Sequence, residues 1–415
     1  MLLGALVGVP AAVVAALFLA LVHELQHWLW TDLPDALGES SPPWYLVLAL
    51  PVAGAAIVLA ARRLLPGDGG HTPLEGLTPQ PMPISYAPGV ALAALGSLAF
   101  GAVLGPEAPV VALGAIVGLA VTAFARLDAK ETALIASAGS FSAISALFGG
   151  PLVAGVMMTE AGAAGLGAAL VPALLPGFVA AAVGYVVFVG FGDFGGLNVP
   201  GLAVPDLELY DGTHLLDLVA AIGVGIATAM AIALVHGLAT GHAAERARRL
   251  GLAVSLLAGG LAVGVLALVA QWLGSDSQSV LFSGQASISP LVAEGSTGIV
   301  LVVLTAKAIA YAVCLSCGFR GGPIFPAVFL GIGIATLPVI WFDVSPTFAI
   351  AVGAAAGMAA HGRFIVTSML FAALLVGTQG LDAIPGAVLA AAAAWLTATA
   401  LDRRREAVSP PVTAA

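Results

Sequence analysis

Apolar stretches recur along the whole chain and differ in length. Four of them reach the ~20 residues that a helix needs to cross the hydrocarbon core of a bilayer. They cover residues 2–22, 46–65, 215–238 and 251–273. The first stretch follows a start without basic residues, so it predicts a membrane helix and not a cleaved signal peptide.

The surface of such a chain cannot be covered by charge. Of the 415 residues, 60% are hydrophobic and 8% are charged, whereas a soluble domain has roughly 25% charged residues. Much of the surface must therefore face lipid. The sequence predicts an all-α, polytopic membrane protein whose surroundings are the lipid bilayer of the plasma membrane. The net charge of −9 does not indicate a nucleic-acid partner.

Other apolar stretches are short and interrupted by Gly and Pro, at residues 87–103, 109–125, 151–165 and 323–337. Interrupted helices are costly in lipid unless their free backbone groups line a cavity or a polar substrate. Each half of the chain contains one Gly/Pro-rich break that opens a short helix, at 104–109 and at 320–326. Paired breaks of this kind are typical of inverted-repeat transporters with a site near the middle of the membrane.

A polar stretch at 192–213 separates the two halves. We expect a single transmembrane domain over 1–402, with pseudo-repeat halves at about 1–195 and 211–402, and a short cytoplasmic tail at 403–415. Residues 31–44 contain three acidic residues and no Lys or Arg, while arginines follow residue 61. The positive-inside rule then places that loop outside and the N-terminus in the cytoplasm.

Glu107 lies at the first of the two breaks. A helix N-terminus presents unpaired N–H groups and roughly half a positive charge. Two such N-termini aimed at one point make an anion site without a fixed cation. A carboxylate there competes with an anion for the same donors, and an ionisable residue in a membrane is a functional candidate by default. A capping Glu at a helix start is the structural alternative.

Four motifs resemble the CLC chloride channel and chloride/proton antiporter family. Gly-Pro-Glu-Ala-Pro at 105–109 resembles its G-[KR]-E-G-P signature, and residues 306–326 resemble the approach to its G-x-F-x-P motif. Gly-Pro-Leu-Val-Ala-Gly at 150–155 resembles N-A-P-L-A-G, and Gly-Gly-His-Thr-Pro at 69–73 falls where the family has G-S-G-I-P. The motifs occur in the family's order and at compatible spacings.

The resemblance implies a homodimer with one anion pathway in each subunit, no enzymatic activity and no cofactor. It implies that Glu107 is the gating residue for chloride or a similar small anion. Residues at or beside the matched motifs are the expected anion-binding set: Gly70, His71, Thr72, Gly105, Pro106, Ala108, Pro109, Gly322, Ile324, Phe325 and Pro326.

The chain departs from the family pattern around the anion pathway. The motif serine falls on Gly70, so a contact would come from the backbone or from Thr72. The basic residue before the gating glutamate is Pro106, and the Phe of G-x-F-x-P falls on Ile324, with Phe325 next. The family's pore tyrosine, which its last helix supplies, has no assigned counterpart.

The proton relay of the family is also altered. After the 150–155 motif the family's carboxylate pair reduces to Glu160 and Ala161, so the inner relay position is Ala161. Glu160 is expected to be structural. These changes favour passive, gated conduction, and coupled chloride/proton exchange stays open as the alternative.

Two motifs point to other chemistry. His23, Glu24 and His27 form H-E-x-x-H, the pattern of zinc metalloproteases. An intramembrane protease is thus a rival from another class, but a third ligand is needed, and an interfacial role at the end of the first helix is preferred. Cys314 and Cys317 form C-x-x-C without further cysteines, so buried packing is preferred.

Two charged or titratable residues near the breaks have open roles. His71 could make conduction sensitive to pH, or it could be a solvated loop residue. Arg320 could attract anions to the pathway entrance, or it could mark a cytoplasmic loop.

Overall fold

The computed structural model describes residues 1–76, 82–125, 127–162, 170–195, 202–212 and 214–408. Across these residues the chain is helical, and the one strand-like feature is a backbone bridge between Gly105 and Gly322. The α-helices are α1 (Leu2–His27), α2 (Leu33–Ala36), α3 (Trp44–Leu64), α4 (Ala87–Leu98), α5 (Glu107–Thr122), α6 (Ala129–Leu147), α7 (Pro151–Gly162), α8 (Leu170–Gly195), α9 (Leu215–Thr240), α10 (His242–Arg249), α11 (Leu252–Trp272), α12 (Ser277–Val280), α13 (Ile288–Val292), α14 (Thr297–Cys317), α15 (Ile324–Phe342), α16 (Pro346–Gly362), α17 (Val366–Val376) and α18 (Ile384–Val408).

Seven helical stretches in the described residues are long and apolar enough to cross a membrane. The four predicted spans correspond to α1, α3, α9 and α11, and the predicted short helices to α4, α5 and α7. The fourth predicted short helix is α15, which at 19 residues is longer than expected and is itself one of the seven. The all-α membrane fold is therefore confirmed. The polar stretch at 192–213 falls partly outside the described residues, as do 409–415 of the predicted tail, while α18 continues through Arg403–Arg405.

The first helix is longer than expected. It continues through one turn of π-helix at Trp28–Asp32 and then α2, so the predicted loop at 31–44 shortens to the residues between α2 and α3. Trp30 is buried, and its Nε1–H donates to the carbonyl of Ala99 at 3.0 Å. The indole N–H near the end of this helix is thus hydrogen-bonded within the protein. Hydropathy alone does not predict this contact.

The two halves begin their central helices in the same way. Both α5 and α15 begin at the third residue of a Gly-Pro-x-x-Pro sequence, at 105–109 and at 322–326. Their positions can be given relative to the two ends of α14. Trp341, near the end of α15, donates to Thr297 at the start of α14. The first turns of α5 line a cavity with Arg320, which follows the end of α14.

Glycine allows each central helix to pack closely on its successor. A Cβ atom at Gly114 of α5 would lie 2.5 Å from the Gly139 carbonyl oxygen of α6. At the matching position of α15, a Cβ atom at Gly331 would lie 2.1 Å from the Gly353 carbonyl oxygen of α16. Small residues at helix contacts are the usual means of close packing in lipid.

Hydrogen bonds join the two breaks reciprocally. The Gly105 N–H donates to the Gly322 carbonyl at 2.7 Å, and the Gly322 N–H donates to the Gly105 carbonyl. The Val103 N–H donates to Cys314 Sγ at 3.2 Å. In the corresponding contact of the other half, the Arg320 N–H donates to Ser97 Oγ at 3.0 Å. Cys314 therefore acts as a buried acceptor in the place where the first half has a serine.

One face of the protein carries the arginine clusters, and we call it the arginine face. Its members are Arg62 and Arg63 at the end of α3, Arg246, Arg248 and Arg249 in α10, and Arg403–Arg405 in α18. Arg62 Nη1 donates to the carbonyl of Gly318, just after α14, at 2.9 Å. Helices α9, α14, α16 and α18 all end at or near this face.

Candidate anion site

Glu107 is fully buried at the N-terminus of α5. Its Oε1 accepts hydrogen bonds from the backbone N–H groups of Ile324, at 2.5 Å, and Phe325, at 3.3 Å. These are the first two residues of α15. The carboxylate of the first half thus occupies the free donors of the helix that opens in the second half. This is the position that a bound anion would take at such a helix end.

The second oxygen of this carboxylate is in a different situation. Glu107 Oε2 is buried and has no hydrogen-bond partner among the residues that the structure describes. Leaving a buried charged oxygen unpaired is costly. This oxygen is therefore the one at which a proton would relieve the cost of burial.

The glycines of the two breaks leave room for the carboxylate. A Cβ atom at Gly105 would lie 2.0 Å from Glu107 Oε2, and one at Gly322 would lie 2.0 Å from Glu107 Cδ. Real Cβ contacts are never this short, so any larger residue would displace the side chain. The break glycines are required here by the close approach of the Glu107 side chain.

Aromatic rings pack behind the donor residues. Phe325 stacks on Phe148 with ring centroids 5.4 Å apart, and Phe371 of α17 meets both rings edge-on. All three rings are buried. This cluster holds the first turn of α15 in place and keeps that side of the site apolar.

Towards the arginine face, a small cavity lies beside α5. Its volume is about 10 Å³, and its lining includes Gly70, His71, Ala108, Pro109 and Arg320. A cavity of this size holds about one water molecule. The backbone at Gly70 has φ +93°, in the left-handed region that favours glycine. Glycine at position 70 therefore suits the left-handed backbone conformation at that point.

Arg320 and Arg62, which lies near the end of α3, bind the same carboxylate, that of Asp68. Arg320 Nη2 bonds Asp68 Oδ2 at 2.6 Å, and Arg62 binds both carboxylate oxygens of Asp68 at 2.7 and 2.8 Å. Partial burial raises the pKa of the Asp68 carboxyl, but the hydrogen bonds and charges of the two arginines outweigh it and hold the pKa below the ordinary 3.8. Only 4% of the Arg320 side chain is exposed, so its charge acts at short range on the small cavity.

On the opposite side of Glu107, two connected hollows lead away from the site. The smaller has a volume of about 90 Å³ and touches Pro106, His23 and Gln26. The larger, of about 510 Å³, shares His23, Gln26, Ser283 and Gln285 with it. Glu107 thus lies between a wide hollow on one side and a narrow cavity on the other.

The structure brings most of the predicted site residues together. Ile324 and Phe325 bind Glu107, Gly105 and Gly322 surround it, and Pro106, Ala108 and Pro109 lie on the cavities at its two sides. Thr72 and Pro326 are less direct. The Thr72 N–H donates to Glu75 Oε2 at 3.4 Å, and Pro326 lies within the buried first turn of α15.

Glu160 lies at the end of α7 and binds the start of α17. Its two oxygens accept hydrogen bonds from the N–H groups of Ile365, Val366 and Thr367 at 2.9–3.0 Å, and from the Thr367 hydroxyl. A carboxylate at this place satisfies free donors and complements the helix dipole. Its next neighbour, Ala161, offers no proton-carrying group.

Buried polar residues near the site were missed from sequence. Lys307 has no exposed surface, and its Nζ donates to the carbonyls of Ser279, Val280 and Leu281 at 2.9–3.2 Å. Tyr311 is also fully buried, and its hydroxyl donates to the carbonyl of Pro323 at 2.7 Å. Both lie in the apolar helix α14, where the only available signal was a polar residue within a membrane span.

The H-E-x-x-H residues do not converge on a metal site. His23 and His27 line the larger hollow, whereas Glu24 is exposed. His27 Nδ1 lies 3.2 Å from Asp32 Oδ1. Within the described ranges, no three His, Cys, Asp or Glu residues are placed to hold a metal ion. Cys314 and Cys317 are free and buried.

Comparisons with known proteins agree with this arrangement. The sequence profile described as voltage gated chloride channel matches residues 54–399. A protein that carries the name ion-transport protein YfeO, from Escherichia coli (strain SMS-3-5 / SECEC), is 30% identical over 338 residues, which are 80% of this chain and 77% of the relative. Its counterpart from Escherichia coli (strain UTI89 / UPEC) is 31% identical over 339 residues, with the same coverage of both chains.

Solved structures share the fold at low sequence identity. A slow cyanobacterial Cl⁻/H⁺ antiporter has a TM-score of 0.77 and 15% identity, over 99% of this chain and 98% of that one. A CLC-type fluoride/proton antiporter has a TM-score of 0.72 and 18% identity, over 95% and 94%. From its profile match and its relatives, the chain is a multi-pass plasma-membrane protein that belongs to the voltage gated chloride channel (CLC) family of anion transport proteins.

Proposed function

We propose that the protein moves chloride or a similar small anion through the site that the Glu107 carboxylate occupies, and that Glu107 is the gate. The observation that carries the proposal is the buried carboxylate on the Ile324 and Phe325 N–H groups. An anion can take these donors only when the carboxylate leaves them. Protonation of Glu107, or rotation of its side chain, opens the site.

The surroundings of the gate suit a conducted ion. The ammonium of Lys307 is held by three carbonyls, and the Arg320 guanidinium is paired with Asp68, so neither offers a free cation at the donors. Backbone donors bind an anion without trapping it, as conduction requires. The positive-inside rule makes the arginine face cytoplasmic, with Arg320, His71 and Gly70 at the inner entrance and the larger hollow outside.

The departures at Gly70 and Ala161 favour passive conduction as one candidate. Proton-coupled exchange is the second candidate, and a specific observation favours it: a chain of polar side chains leads from Pro323, beside the gate, to the arginine face. Two proteins of the same fold are described as proton-coupled antiporters. The intramembrane protease is not favoured, because its two histidines line an open hollow and no third ligand lies with them among the residues that the structure describes.

The test is flux from liposomes that contain the purified protein. We expect chloride efflux with the wild type and faster efflux with Glu107→Ala, because the competitor of the anion is removed. Glu245→Ala, which removes an exposed carboxylate from α10, is the matched control and should behave as wild type. Efflux that is the same with and without the Glu107 carboxylate would refute the gate. Absence of flux for chloride, fluoride, nitrate and bromide alike would refute the function.

The family resemblance also leads us to propose a homodimer with a separate pathway in each subunit. Cross-linking in native membranes should give a dimer band. Mixed dimers of wild-type and Glu107→Ala subunits should show the sum of two independent fluxes. A band at the mass of one subunit both before and after cross-linking would contradict this assembly.

A further inference from the structure

Two histidines meet at the arginine face, in a place where sequence patterns give no motif. His236 lies in the last turns of α9, and His361 lies next to the end of α16. His236 Nε2 and His361 Nδ1 are 3.1 Å apart, and the two rings are perpendicular, with centroids 5.0 Å apart. Both side chains are partly exposed. The histidine pair is therefore accessible from the protein surface and also packs against buried residues.

The pair is continued inward by Tyr311. His361 Nδ1, the same atom that faces His236, lies 3.4 Å from the Tyr311 hydroxyl. This hydroxyl donates to the carbonyl of Pro323, so its oxygen can accept a proton from the imidazole. Three proton-carrying groups from three different helices, α9, α16 and α14, thus form a chain in which each lies within hydrogen-bonding reach of the next.

Tyr311 ends one peptide unit from the gate. The Pro323 carbonyl that binds Tyr311 and the Ile324 N–H that binds Glu107 belong to the same peptide group. Tyr311 and Glu107 are also close enough to interact electrostatically. One peptide group therefore carries on its carbonyl the tyrosine hydroxyl and on its N–H the Glu107 carboxylate.

Charged groups surround the two histidines at the arginine face. Arg363, which ends α16, pairs with Asp402 of α18 at 2.5 Å, and Arg405 of α18 donates to the carbonyl of Ala233 in α9. Arg363, Arg405 and Asp402 all act electrostatically on His236, and from α14 the group that faces the pair is Tyr311. The carboxylate beside two guanidinium groups keeps this entrance polar and hydrated.

We propose that His236, His361 and Tyr311 form the route by which protons reach Glu107 from the arginine face, in place of the relay carboxylate whose position is held by Ala161. The inference rests on the proposed role of Glu107 as the gate. It gives the chain a means of proton-coupled anion exchange that does not use the family's inner glutamate position.

The transfer balances for one proton per cycle. His236 takes a proton from water on the nitrogen that does not face His361 and releases the proton on Nε2 to His361 Nδ1. His361 passes this proton from Nδ1 to the Tyr311 oxygen, which gives up its own hydroxyl proton to Glu107. Exchange of protons with water, with loss from Nδ1 and gain on Nε2, returns His236 to its starting tautomer, and the imidazole and phenol groups end unchanged.

The experiment measures anion and proton flux together from liposomes that contain the full chain, with a chloride gradient and a pH electrode. We expect proton uptake driven by chloride in the wild type. His361→Gln and His236→Gln should lower proton flux on the order of tenfold or more, with chloride flux within about twofold of wild type, because glutamine keeps a hydrogen bond but cannot relay a proton. His242→Gln, which removes a fully exposed histidine from α10 at the same face, is the matched control.

Rescue separates a relay from a packing contact. A carboxylate can carry protons, so His236→Glu should restore proton flux above that of His236→Gln, whereas a purely structural role predicts no such recovery. Tyr311→Phe should reduce proton flux in the same manner as the histidine variants. If His361→Gln does not give a monodisperse protein, the two His236 variants, nearer the surface, carry the test.

The outcomes distinguish the two levels of the proposal. Chloride flux without proton flux in the wild type, or unchanged proton flux in both histidine variants, overturns the relay while the anion function stands. No flux of any tested anion overturns the anion function itself. Reduced proton flux in both histidine variants, with recovery in His236→Glu, supports the relay.

Discussion

Replacement of Glu107 by Ala should tighten anion binding, and the structure gives the size of the effect. The carboxylate competes for the same donors, so the apparent dissociation constant of the anion is the intrinsic value divided by the fraction of open sites. Hydrogen bonds to a charged group contribute about 1.5–3 kcal/mol. Glu107 Oε1 has one short bond, at 2.5 Å, and one long bond, at 3.3 Å.

Taken together, these bonds favour the closed state by about 2–3 kcal/mol, with the longer bond contributing little. Burial of the carboxylate opposes them. Since 1.4 kcal/mol corresponds to a factor of ten, we expect the apparent dissociation constant to fall about 10- to 100-fold in Glu107→Ala. Glu107→Gln should lie between the two, because its amide oxygen is an uncharged and weaker competitor.

Isothermal titration of the purified protein with bromide or chloride at neutral pH measures this change directly. Glu245→Ala, with the same loss of charge at an exposed position, should bind as wild type does. Equal affinities, within about twofold, for wild type and Glu107→Ala would show that the carboxylate does not occupy the anion's donors. The competition argument would then be wrong even if the protein transports anions.

Three further predictions concern side chains around the site. Gly322→Ala places a Cβ atom 2.0 Å from Glu107 Cδ, so it should expel the carboxylate and raise chloride efflux towards the Glu107→Ala rate, with no further gain in the double variant. Glu160→Ala removes the cap of α17 and should cost about 1–2 kcal/mol, seen as a lower thermal unfolding midpoint in detergent with unchanged flux per folded protein. Asp68→Asn should lower the free energy of unfolding at neutral pH by at most about 1 kcal/mol, measured by thermal unfolding in detergent, because 59% of the Asp68 side chain is exposed. The pKa of Asp68 is lowered in the folded protein, so this contribution is present above the ordinary 3.8 and disappears as pH falls through the folded pKa.

Each of these has an internal control. Gly223→Ala, in α9 where a Cβ atom meets nothing within 4 Å, should leave efflux unchanged. If Glu160→Ala abolished flux while the protein stayed folded, its role would extend beyond capping. A difference between wild type and Asp68→Asn that persisted unchanged well below pH 3 would show that the arginine pairing is not its source.

The position of Glu107 at a helix start and the central helices were predictable because their signals are local. Glu107 follows Gly-Pro in an apolar chain, and the second break repeats the pattern, so a short stretch of sequence is enough to locate both N-termini. The lengths of the apolar stretches likewise determine the long spans. The extension of α1 past Trp28 was not predictable, because it depends on the contact of Trp30 with Ala99, which is distant in sequence.

The polar chain behind the gate could not be found in this way. His236 and His361 are separated by 125 positions, and Tyr311 lies 50 positions before His361. Each is a single polar residue in an apolar helix and has no pattern around it. Their meeting is a property of how α9, α14 and α16 pack. The same is true of Cys314, whose partner, Val103, belongs to the other half of the chain.

The reciprocal hydrogen bonds between the breaks restrict how the protein can move. Transporters built from inverted repeats commonly alternate access by rocking one repeat against the other. Here such a motion would have to break the paired Gly105 and Gly322 backbone bonds together with the Val103 and Arg320 bonds, all in buried surroundings. Each buried donor left without a partner would cost about 1–3 kcal/mol. The halves are thus held together at the two breaks, and access must change through movements on the scale of one side chain.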